Sequence, residues 1–289
     1  MYKRILVTGK NSYVGNSFLQ WIGENAQYVI DTISMRDGNW VNTDLSIYDT
    51  IFHVAGIAHV EAKDSMESTY YKVNRDMTID LAKKAKQTGV RQFIYMSSII
   101  VYGENNRHNS HSVITKDTVP NPSGFYGRSK LEAEEGLLQL QDDNFHIAIV
   151  RAPMIYGKGS KGNYPRLARL ARILPMFPKV RNRRSILYID NLCEFVKMLI
   201  DNEERGIFFP QNKEYCSTTE LVQEIARVHG KRVIGISCFN LLIKLSMKRI
   251  NMLNKIFGTL VYDLELSSYR EFSYCKYDMK SSIELTEKK

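Results

Sequence analysis

The feature that most constrains the fold of this chain is its N-terminal run from Lys3 to Ile22. Lys3–Thr8 (KRILVT) is short, aliphatic and followed at once by glycine, which predicts a buried strand. Tyr13–Ile22 has the apolar periodicity of a helix, and the turn between them is bounded by Gly9 and Gly15. A strand, a glycine turn and a helix in this order direct backbone N–H groups and a helix N-terminus at a pyrophosphate. The run therefore predicts a dinucleotide site.

The residues of the predicted phosphate turn are Gly9, Ser12, Tyr13, Val14 and Gly15. Ser12 stands where a middle glycine is usual. Its Cβ would crowd the phosphates, or its hydroxyl would donate a hydrogen bond to them, and the sequence leaves both readings open.

The pattern of strand followed by helix continues beyond this run. Residues 28–34, 50–54 and 92–97 have the composition of strands, and residues 65–88 have that of a long helix. This alternation predicts an α/β fold with a Rossmann-type, doubly wound parallel sheet. Ligands of such sheets bind outside the carboxyl ends of the strands, so Ser97 and Ser98 are expected at the site.

The end of the second predicted strand bears on the choice of cofactor. An acidic residue there would bind ribose hydroxyls and indicate NAD, but Asp31 falls inside the strand. Ser34 and Arg36 occupy the tip and could hold a 2′-phosphate, or Arg36 could be a solvated turn residue. The cofactor is therefore NAD or NADP(H), with a slight lean to NADP(H).

Residues around the third predicted strand add further cofactor contacts. Asp44, next to Leu45, could accept a hydrogen bond from the adenine amino group, or it could cap a turn. Ala55 and Gly56 follow the strand, and residues this small let the backbone approach the cofactor.

The stretch FYGRSK places Tyr126 and Lys130 four residues apart, on one face of a helix. A free phenol has a pKa of about 10 and is a poor base at neutral pH. We expect the neighbouring cation to lower the pKa of Tyr126 toward the working range of a proton-transfer catalyst.

Six motifs, TGKNSYVG, HVAG, YYKVN, MSSIIVYG, YGRSK and VRAPMIYGKG, occur in the order and spacing of the extended short-chain dehydrogenase/reductases. From Ile5 to about Asn191 the chain resembles that superfamily. It most resembles the nucleotide-sugar epimerase/dehydratase branch, which includes UDP-glucose 4-epimerase-like enzymes.

The resemblance implies roles for individual residues. Tyr126 would be the catalytic acid–base, and Lys130 its partner and a ligand of the nicotinamide ribose. Ser98, three residues before VYG, would be the catalytic serine, with its neighbour Ser97 as a cofactor contact and the alternative. Asn74 and Pro153 match cofactor contacts of the family. The asparagine that often precedes this proline is Ala152 here, so one expected substrate contact is missing.

In the second half, the resemblance places Asn163, which could also cap a helix, near the diphosphate of a nucleotide sugar. It makes Arg184 the clamp on that diphosphate, with Arg183 as the alternative, and bidentate guanidinium geometry suits the role. It also implies a homodimer through the helices near 66–88 and 126–141. We expect a dinucleotide-binding domain over residues 1–152 and a smaller, mostly substrate-binding domain over 153–289, from which some elements return to the first.

The net charge of +9 fits a diphosphate cofactor and substrate, and no nucleic-acid-binding motif is present. The four cysteines form no CxxC pair, and no signal peptide or long apolar run is evident, so a cytoplasmic protein is expected. The apolar stretch 235–261 carries four cations and could be an interfacial helix. We expect it to pack within the substrate domain, without membrane contact.

The polar residues 102–123 are expected to form a loop that acts as a lid or is disordered. His108 and His111 lie in it without a third ligand, and His59 is expected to be packed or solvent-facing, so no metal site is predicted.

The favoured function is an NAD(P)-dependent nucleotide-sugar 4-epimerase that acts through a transient 4-keto sugar in surface polysaccharide precursor synthesis. The alternative is an NADPH-dependent 4-keto-sugar reductase. A dehydratase comes last, because no acidic residue accompanies Ser98 in MSSI. A non-catalytic dinucleotide sensor is disfavoured because the serine, tyrosine and lysine are all present.

Overall fold

The structure is a computed structural model, and it describes residues 2–58, 64–103, 111–238, 240, 253 and 256–288. The expectations about His59 and His108, and about most of the stretch 235–261, lie outside these residues, and the side chain of His111 is not described.

The described part of the chain contains strands β1 to β12 and helices α1 to α9. The strands are β1 Lys3–Thr8, β2 Tyr28–Ile33, β3 Thr50–His53, β4 Gln92–Ser98, β5 His111–Ile114, β6 His146–Ala152, β7 Met154–Tyr156, β8 Met176–Pro178, β9 Ile186–Tyr188, β10 Gly206–Phe208, β11 Ile234–Ile236 and β12 Thr259–Tyr262. The helices are α1 Tyr13–Ile22, α2 Glu67–Tyr71, α3 Met77–Gln87, α4 Phe125–Leu138, α5 Asn163–Ile173, α6 Ile189–Asp201, α7 Thr218–Val228, α8 Leu264–Ser267 and α9 Met279–Glu287.

The chain divides into two compact units, and successive segments of the chain belong to one unit and then to the other. The first unit comprises Met1–Gly103, Pro120–Ala152 and Leu192–Phe209. The second comprises Glu104–Val119, Pro153–Asn191 and Pro210–Lys289.

The first unit is built on a six-stranded sheet with the order β10-β6-β4-β3-β1-β2. Every pairing in it is parallel. The aliphatic runs predicted as strands are buried, with Ile5, Leu6, Ile51 and Phe93 each at most 1% exposed. The predicted doubly wound parallel sheet is confirmed. Its strand order changes direction between β1 and β3, which is where ligands of such sheets bind.

The second unit contains three two-stranded parallel ribbons, β5 with β12, β7 with β9, and β8 with β11. Helix α7 packs against α5 and α9. The prediction of a loop over residues 102–123 is wrong at β5, because its four residues become a strand by pairing with β12, far along the chain. No helix in the described part of the chain is both long and apolar enough to cross a membrane.

Candidate active site

The predicted catalytic residues meet at the carboxyl end of β4. Helix α4 begins at Phe125, so Tyr126 and Lys130 lie one turn apart on one face. The side chain of Ser98, the last residue of β4, lies near enough to the Tyr126 hydroxyl to act on its pKa. The structure thus brings together all three residues that the sequence placed there.

The pKa values of this group differ from our expectation. Burial raises the pKa of Tyr126 to about 12, although the nearby Ser98 side chain acts in the opposite direction. Burial lowers the pKa of Lys130 to about 8. The expected lowering of the Tyr126 pKa by Lys130 is therefore wrong for this arrangement, because desolvation of the phenol outweighs other effects. At neutral pH Tyr126 is a proton donor and Lys130 is mostly protonated.

The ammonium group of Lys130 is held from the side of the sheet. Its Nζ donates a hydrogen bond to the carbonyl of Met96 at 2.9 Å and lies 4.6 Å from the centroid of the Tyr95 ring. A carbonyl and an aromatic face both stabilise a desolvated cation. Strand β4 therefore orients Lys130 as well as Ser98.

Asn74 lies beside this group in a π-helical segment, Lys72–Asp76, that joins α2 to α3. Its side-chain amide accepts a hydrogen bond from the Ile57 N–H at 2.8 Å and donates one to the Ile57 carbonyl at 3.2 Å. A Cβ on Gly56 would lie 3.0 Å from Asn74 Oδ1. Asn74 thus holds the loop after β3 so close that a Cβ on Gly56 would require the asparagine or the loop to shift. Turns of π-helix often mark functional sites.

Ser97 faces a different environment from Ser98, since successive strand residues point to opposite faces. Its hydroxyl donates to Glu134, which is 1% exposed and forms an ion pair with Arg151 at 2.6 Å. Arg151 also donates to the Tyr102 hydroxyl at 2.6 Å. This buried network links β4 to α4. Because the hydroxyl of Ser97 is engaged in it, Ser98 is the better candidate for the catalytic serine.

The turn after β1 has the geometry of a phosphate cradle. Gly9 has φ of 78°, and a Cβ there would lie 3.1 Å from the Ala55 Cα. The Ser12 hydroxyl caps α1 by accepting a hydrogen bond from the Gly15 N–H at 3.0 Å. Tyr13 and Val14 form the first helical turn and are half-buried. The cradle fits the diphosphate of a dinucleotide, and the Ser12 hydroxyl oxygen is engaged as the acceptor of the helix cap.

Asp31 does not lie at the end of β2, which agrees with the prediction from the sequence. Asp31 lies inside β2, where it accepts hydrogen bonds from Arg4 at 3.3 Å and from Tyr48 at 3.0 Å. Beyond the strand, the Ser34 hydroxyl accepts a hydrogen bond from the Arg36 N–H at 3.2 Å, and the Arg36 side chain is exposed.

Asp44 caps a turn by accepting hydrogen bonds from the N–H and hydroxyl of Ser46, which lower the pKa of Asp44. The side chain of Leu45 is fully buried in the core, so only its backbone remains for a ligand. Ala55 donates its N–H to the Thr8 hydroxyl at 3.3 Å. Pro153 opens the second unit directly after Ala152, whose Cα is paired with that of Ser98.

A cavity in the second unit brings together two of the three predicted substrate residues, Asn163 and Arg184, whereas Ser98 lies in the first unit. It is lined by Met154, Asn163, Leu167, Arg184, Ile186, Cys216, Ser217, Thr218, Leu221 and Ile256. Asn163 is the first residue of α5 and not its cap, because Gly162, with φ of 92°, takes that position. Helix N-termini attract anions. The cavity joins the beginnings of α5 and α7 to a guanidinium group.

Both the backbone and the side chain of Arg184 are hydrogen-bonded to main-chain carbonyls. Its N–H donates to the Cys216 carbonyl at 2.9 Å, and its Nη1 donates to the Gly258 carbonyl at 3.2 Å. Burial lowers the pKa of Arg184. Among the residues that the structure describes, no carboxylate forms an ion pair with it. Arg183 is exposed and lies 5.4 Å from the centroid of the Tyr215 ring.

Sequence reasoning missed two features of these sites. Glu134, one turn beyond Lys130, could have been found from the i,i+4 spacing that relates Tyr126 to Lys130. Ser217 begins α7 with a capping box that includes Glu220, and the S-x-x-E signal was readable in the sequence.

Comparisons with known proteins agree with this geometry. Residues 5–208 match the NAD-dependent epimerase/dehydratase family. The UDP-glucose 4-epimerase of Vibrio cholerae is 30% identical over 91% of this chain and 88% of that protein. The N-acetyl-alpha-D-glucosaminyl-diphospho-ditrans,octacis-undecaprenol 4-epimerase of Escherichia coli O157:H7 is 28% identical over 74% of this chain and 68% of that protein.

Among solved structures, a dTDP-4-dehydrorhamnose reductase of Clostridium acetobutylicum shares the fold. Its TM-score is 0.75 at 18% identity, and the match covers 98% of both chains. The family match spans the phosphate turn and the Ser98, Tyr126 and Lys130 group alike. This chain belongs to the NAD-dependent epimerase/dehydratase family of the extended short-chain dehydrogenase/reductases, which are NAD(P)-dependent sugar-nucleotide enzymes.

Proposed function

We propose that this protein is a nucleotide-sugar 4-epimerase that acts through a transient 4-keto sugar in the synthesis of surface polysaccharide precursors. The observation that carries the proposal is the placement of Ser98 beside Tyr126, with Lys130 one helical turn away. The similarity to an epimerase over 91% of the chain supports this reaction above others of the family.

In the proposed mechanism, Ser98 hydrogen-bonds the oxygen on the reacting sugar carbon and orients it. Tyr126 exchanges a proton with that oxygen, and the charge of Lys130 stabilises the phenolate when the proton has left. When bound, the nicotinamide exchanges a hydride with the same carbon. Gly9, Ser12 and Gly15 would hold the diphosphate of the dinucleotide, and Asn74 would keep the loop at Gly56 in place beside it.

The second-unit cavity is proposed to bind the substrate diphosphate. Arg184 supplies a bidentate donor, and the N-termini of α5 and α7 supply partial positive charge. The apolar lining from Met154, Leu167, Ile186 and Leu221 suits the base or sugar of a nucleotide. The relative from E. coli acts on a diphosphate carried by a polyprenol, so the carrier of the sugar is part of what must be tested.

The test combines bound cofactor with product analysis. Mass spectrometry of the nucleotide released from denatured protein should find near-stoichiometric NAD, because an epimerase regenerates its cofactor in each cycle. The protein should then interconvert UDP-glucose with UDP-galactose, or UDP-N-acetylglucosamine with its 4-epimer, without added cofactor. Activity only on the polyprenyl-diphosphate sugar would mean that the protein is a 4-epimerase whose sugar is carried by a polyprenyl diphosphate and not by a nucleotide.

A 4-keto-sugar reductase is the second candidate, and the end of β2 favours it. Ser34 and the exposed Arg36 could hold the 2′-phosphate of NADP(H), and Asp31 is engaged elsewhere. Protein purified without nucleotide, or with NADP, that consumes NADPH in stoichiometric proportion to a 4-keto sugar would establish this reaction and refute the epimerase.

The Tyr126→Phe variant tests the proposed acid–base. It keeps the ring that packs against Tyr70 and removes only the hydroxyl. We expect turnover to fall by two or more orders of magnitude, roughly what a general acid–base contributes, while released NAD(P) stays unchanged. Turnover near that of the wild type would refute the role of Tyr126.

A further inference from the structure

Three large apolar side chains are exposed on the second unit. Ile173 ends α5, Met176 begins β8 and Ile234 begins β11, and they are 63%, 51% and 56% exposed. The Cα atoms of Met176 and Ile234 are partners in the parallel register of β8 and β11. Ile173 precedes Met176 by three residues. Two of these residues are thus neighbours across the ribbon and the third is close to them in the chain, and we call the three together the apolar patch.

Exposed cations lie on or next to the elements that carry the apolar patch. They are Arg166, Arg169 and Arg172 on the outer side of α5, Lys179 after β8, and Lys231 and Arg232 before β11. On α5 the buried residues are Tyr164, Leu167, Ala168 and Ala171, so the three arginines share the opposite, solvent side. We call the six cations and the apolar patch together the basic face.

The two stretches of sequence that carry the basic face contain no carboxylate. Between Asp143 and Asp190 the chain has ten lysines and arginines and no carboxylate, and between Glu224 and Asp263 it has seven and none. Pairing of β8 with β11 brings these two stretches side by side. In the described part of the chain, none of the six cations forms an ion pair with a carboxylate. None of them lines the cavity that contains Arg184.

This combination of chemistry identifies the kind of partner. Anionic lipid headgroups attract lysine and arginine, and aliphatic side chains gain by entering the boundary between headgroups and acyl chains. A nucleic acid would use the cations but would offer the three aliphatic side chains nothing comparable. We propose that the second unit binds the surface of membranes rich in anionic phospholipid through the basic face.

The proposal reverses our expectation from the sequence that the protein makes no membrane contact. That expectation weighed the stretch 235–261 alone, whereas the basic face is formed mainly by α5 and β8, which lie elsewhere in the sequence. The proposal does not depend on the proposed epimerase reaction, because no residue of the basic face belongs to either candidate site.

The experiment is vesicle flotation of the full chain with phosphatidylcholine vesicles, with and without phosphatidylglycerol. Wild-type protein should float only with the anionic vesicles, and less so as salt screens the charges. Each cation near an anionic surface contributes about fivefold in affinity. The Arg169→Gln, Arg172→Gln double variant should therefore bind about 25-fold more weakly. The Ile173→Ser, Ile234→Ser variant should also lose most of its binding.

Matched controls remove the same chemistry elsewhere. The Val119→Ser variant removes an apolar side chain that is 79% exposed. The Lys83→Gln, Lys280→Gln double variant removes two exposed cations. Both variants should float like the wild type. Thermal unfolding and nucleotide-sugar turnover in solution should be unchanged in the basic-face variants, which shows that they fold.

Four results would overturn the proposal. The first is undiminished flotation of both basic-face variants, and the second is equal flotation with uncharged vesicles. The third is displacement from vesicles by duplex DNA at equal charge together with tighter DNA binding, which would make nucleic acid the partner. The fourth is a wild-type dimer that the isoleucine variant converts to monomer without loss of flotation, which would make the patch a contact between copies.

Discussion

Arg183 and Arg184 are neighbours in the chain, but their guanidinium groups have different surroundings. Arg184 lines the cavity and is half-buried, while Arg183 is exposed beside Tyr215. A hydrogen bond to a charged group contributes about 1.5–3 kcal/mol. Arg184→Ala should therefore raise KM for the nucleotide sugar at least about tenfold with a smaller change in kcat.

Arg183→Ala is the matched control for this prediction, since it removes the same group one residue earlier. Its KM should stay within about twofold of the wild type, because exposed charge pairs contribute little. Steady-state kinetics on both variants would decide the matter, and the reverse pattern would move the diphosphate clamp to Arg183.

His53 links the stability of the first unit to pH. It is 1% exposed and lies between the hydroxyl oxygens of Thr8 at 2.8 Å and Thr78 at 3.0 Å. Burial, together with the charge of Lys130, lowers the pKa of His53 from 6.5 to about 3. Between these values the unfolded chain binds a proton that the folded chain does not, so folding stability is lost as pH falls.

We expect this residue alone to contribute a slope of roughly 1.4 kcal/mol per pH unit below its unfolded pKa. Urea unfolding of wild type and His53→Asn at a series of acidic pH values measures the slope. The variant should be less stable near neutrality, because it cannot bridge both threonines, but its stability should fall less steeply with acid. Parallel curves for the two proteins would show that His53 is not the group responsible.

For individual residues, the sequence predicted the candidate site well where a residue's position follows from its spacing along a helix or strand. Tyr126, Lys130 and Ser98 were found because four-residue spacing and a strand end define positions in space. The direction of the Tyr126 pKa was not found, because desolvation depends on residues such as Tyr70 that pack around it from elsewhere. The helix cap at Gly162 was misassigned to Asn163 because both precede the same apolar pattern.

Among the elements, the start of α4 depends on close approach to the segment after β4. A Cβ on Gly127 would lie 2.9 Å from the Ile100 carbonyl oxygen and 2.7 Å from the Pro122 Cβ. Gly127→Ala should push α4 away from that segment, with a loss of about 1–3 kcal/mol in the free energy of unfolding. Turnover should fall by more than the stability change explains, because Tyr126 and Ser98 move apart.

Gly124→Ala provides the control, since among the described residues no atom beyond its chain neighbours lies within 4 Å of a Cβ at that position. It should leave turnover and stability close to the wild type. Chemical unfolding and turnover of the two variants test the point, and equal behaviour would mean that α4 adjusts without disturbing the pair.

Elements formed by local pattern were predicted well, and those formed by distant pairing were not. The predicted boundaries of β1 and α1 agree with the structure, because an aliphatic run and a glycine turn define them locally. Strand β5 was missed because its pairing with β12 lies beyond any local signal. The π-helical turn at Asn74 was likewise invisible in a sequence that reads as one continuous helix.

For the whole molecule, the two units should respond to different ligands. A ligand at 100 times its Kd stabilises the folded state by about 2.7 kcal/mol. Hydrogen exchange with NAD or NADP should slow mainly at residues 9–15 and 55–57 of the first unit. Exchange with UDP should slow mainly at 163–167, 184–186 and 216–221 of the second. Protection by UDP confined to the first unit would contradict the assignment of the Arg184 cavity.

The alternation of the chain between its two units has a consequence for biosynthesis. The chain passes between them five times, and β10, the last strand of the six-stranded sheet, comes from Gly206–Phe208. A nascent chain that has emerged only to Ala152 presents the outer edge of β6 unpaired, and such edges invite aggregation. The sheet is complete only once residue 208 has left the ribosome. The junction after Ala152 is therefore an unsuitable place to truncate the protein.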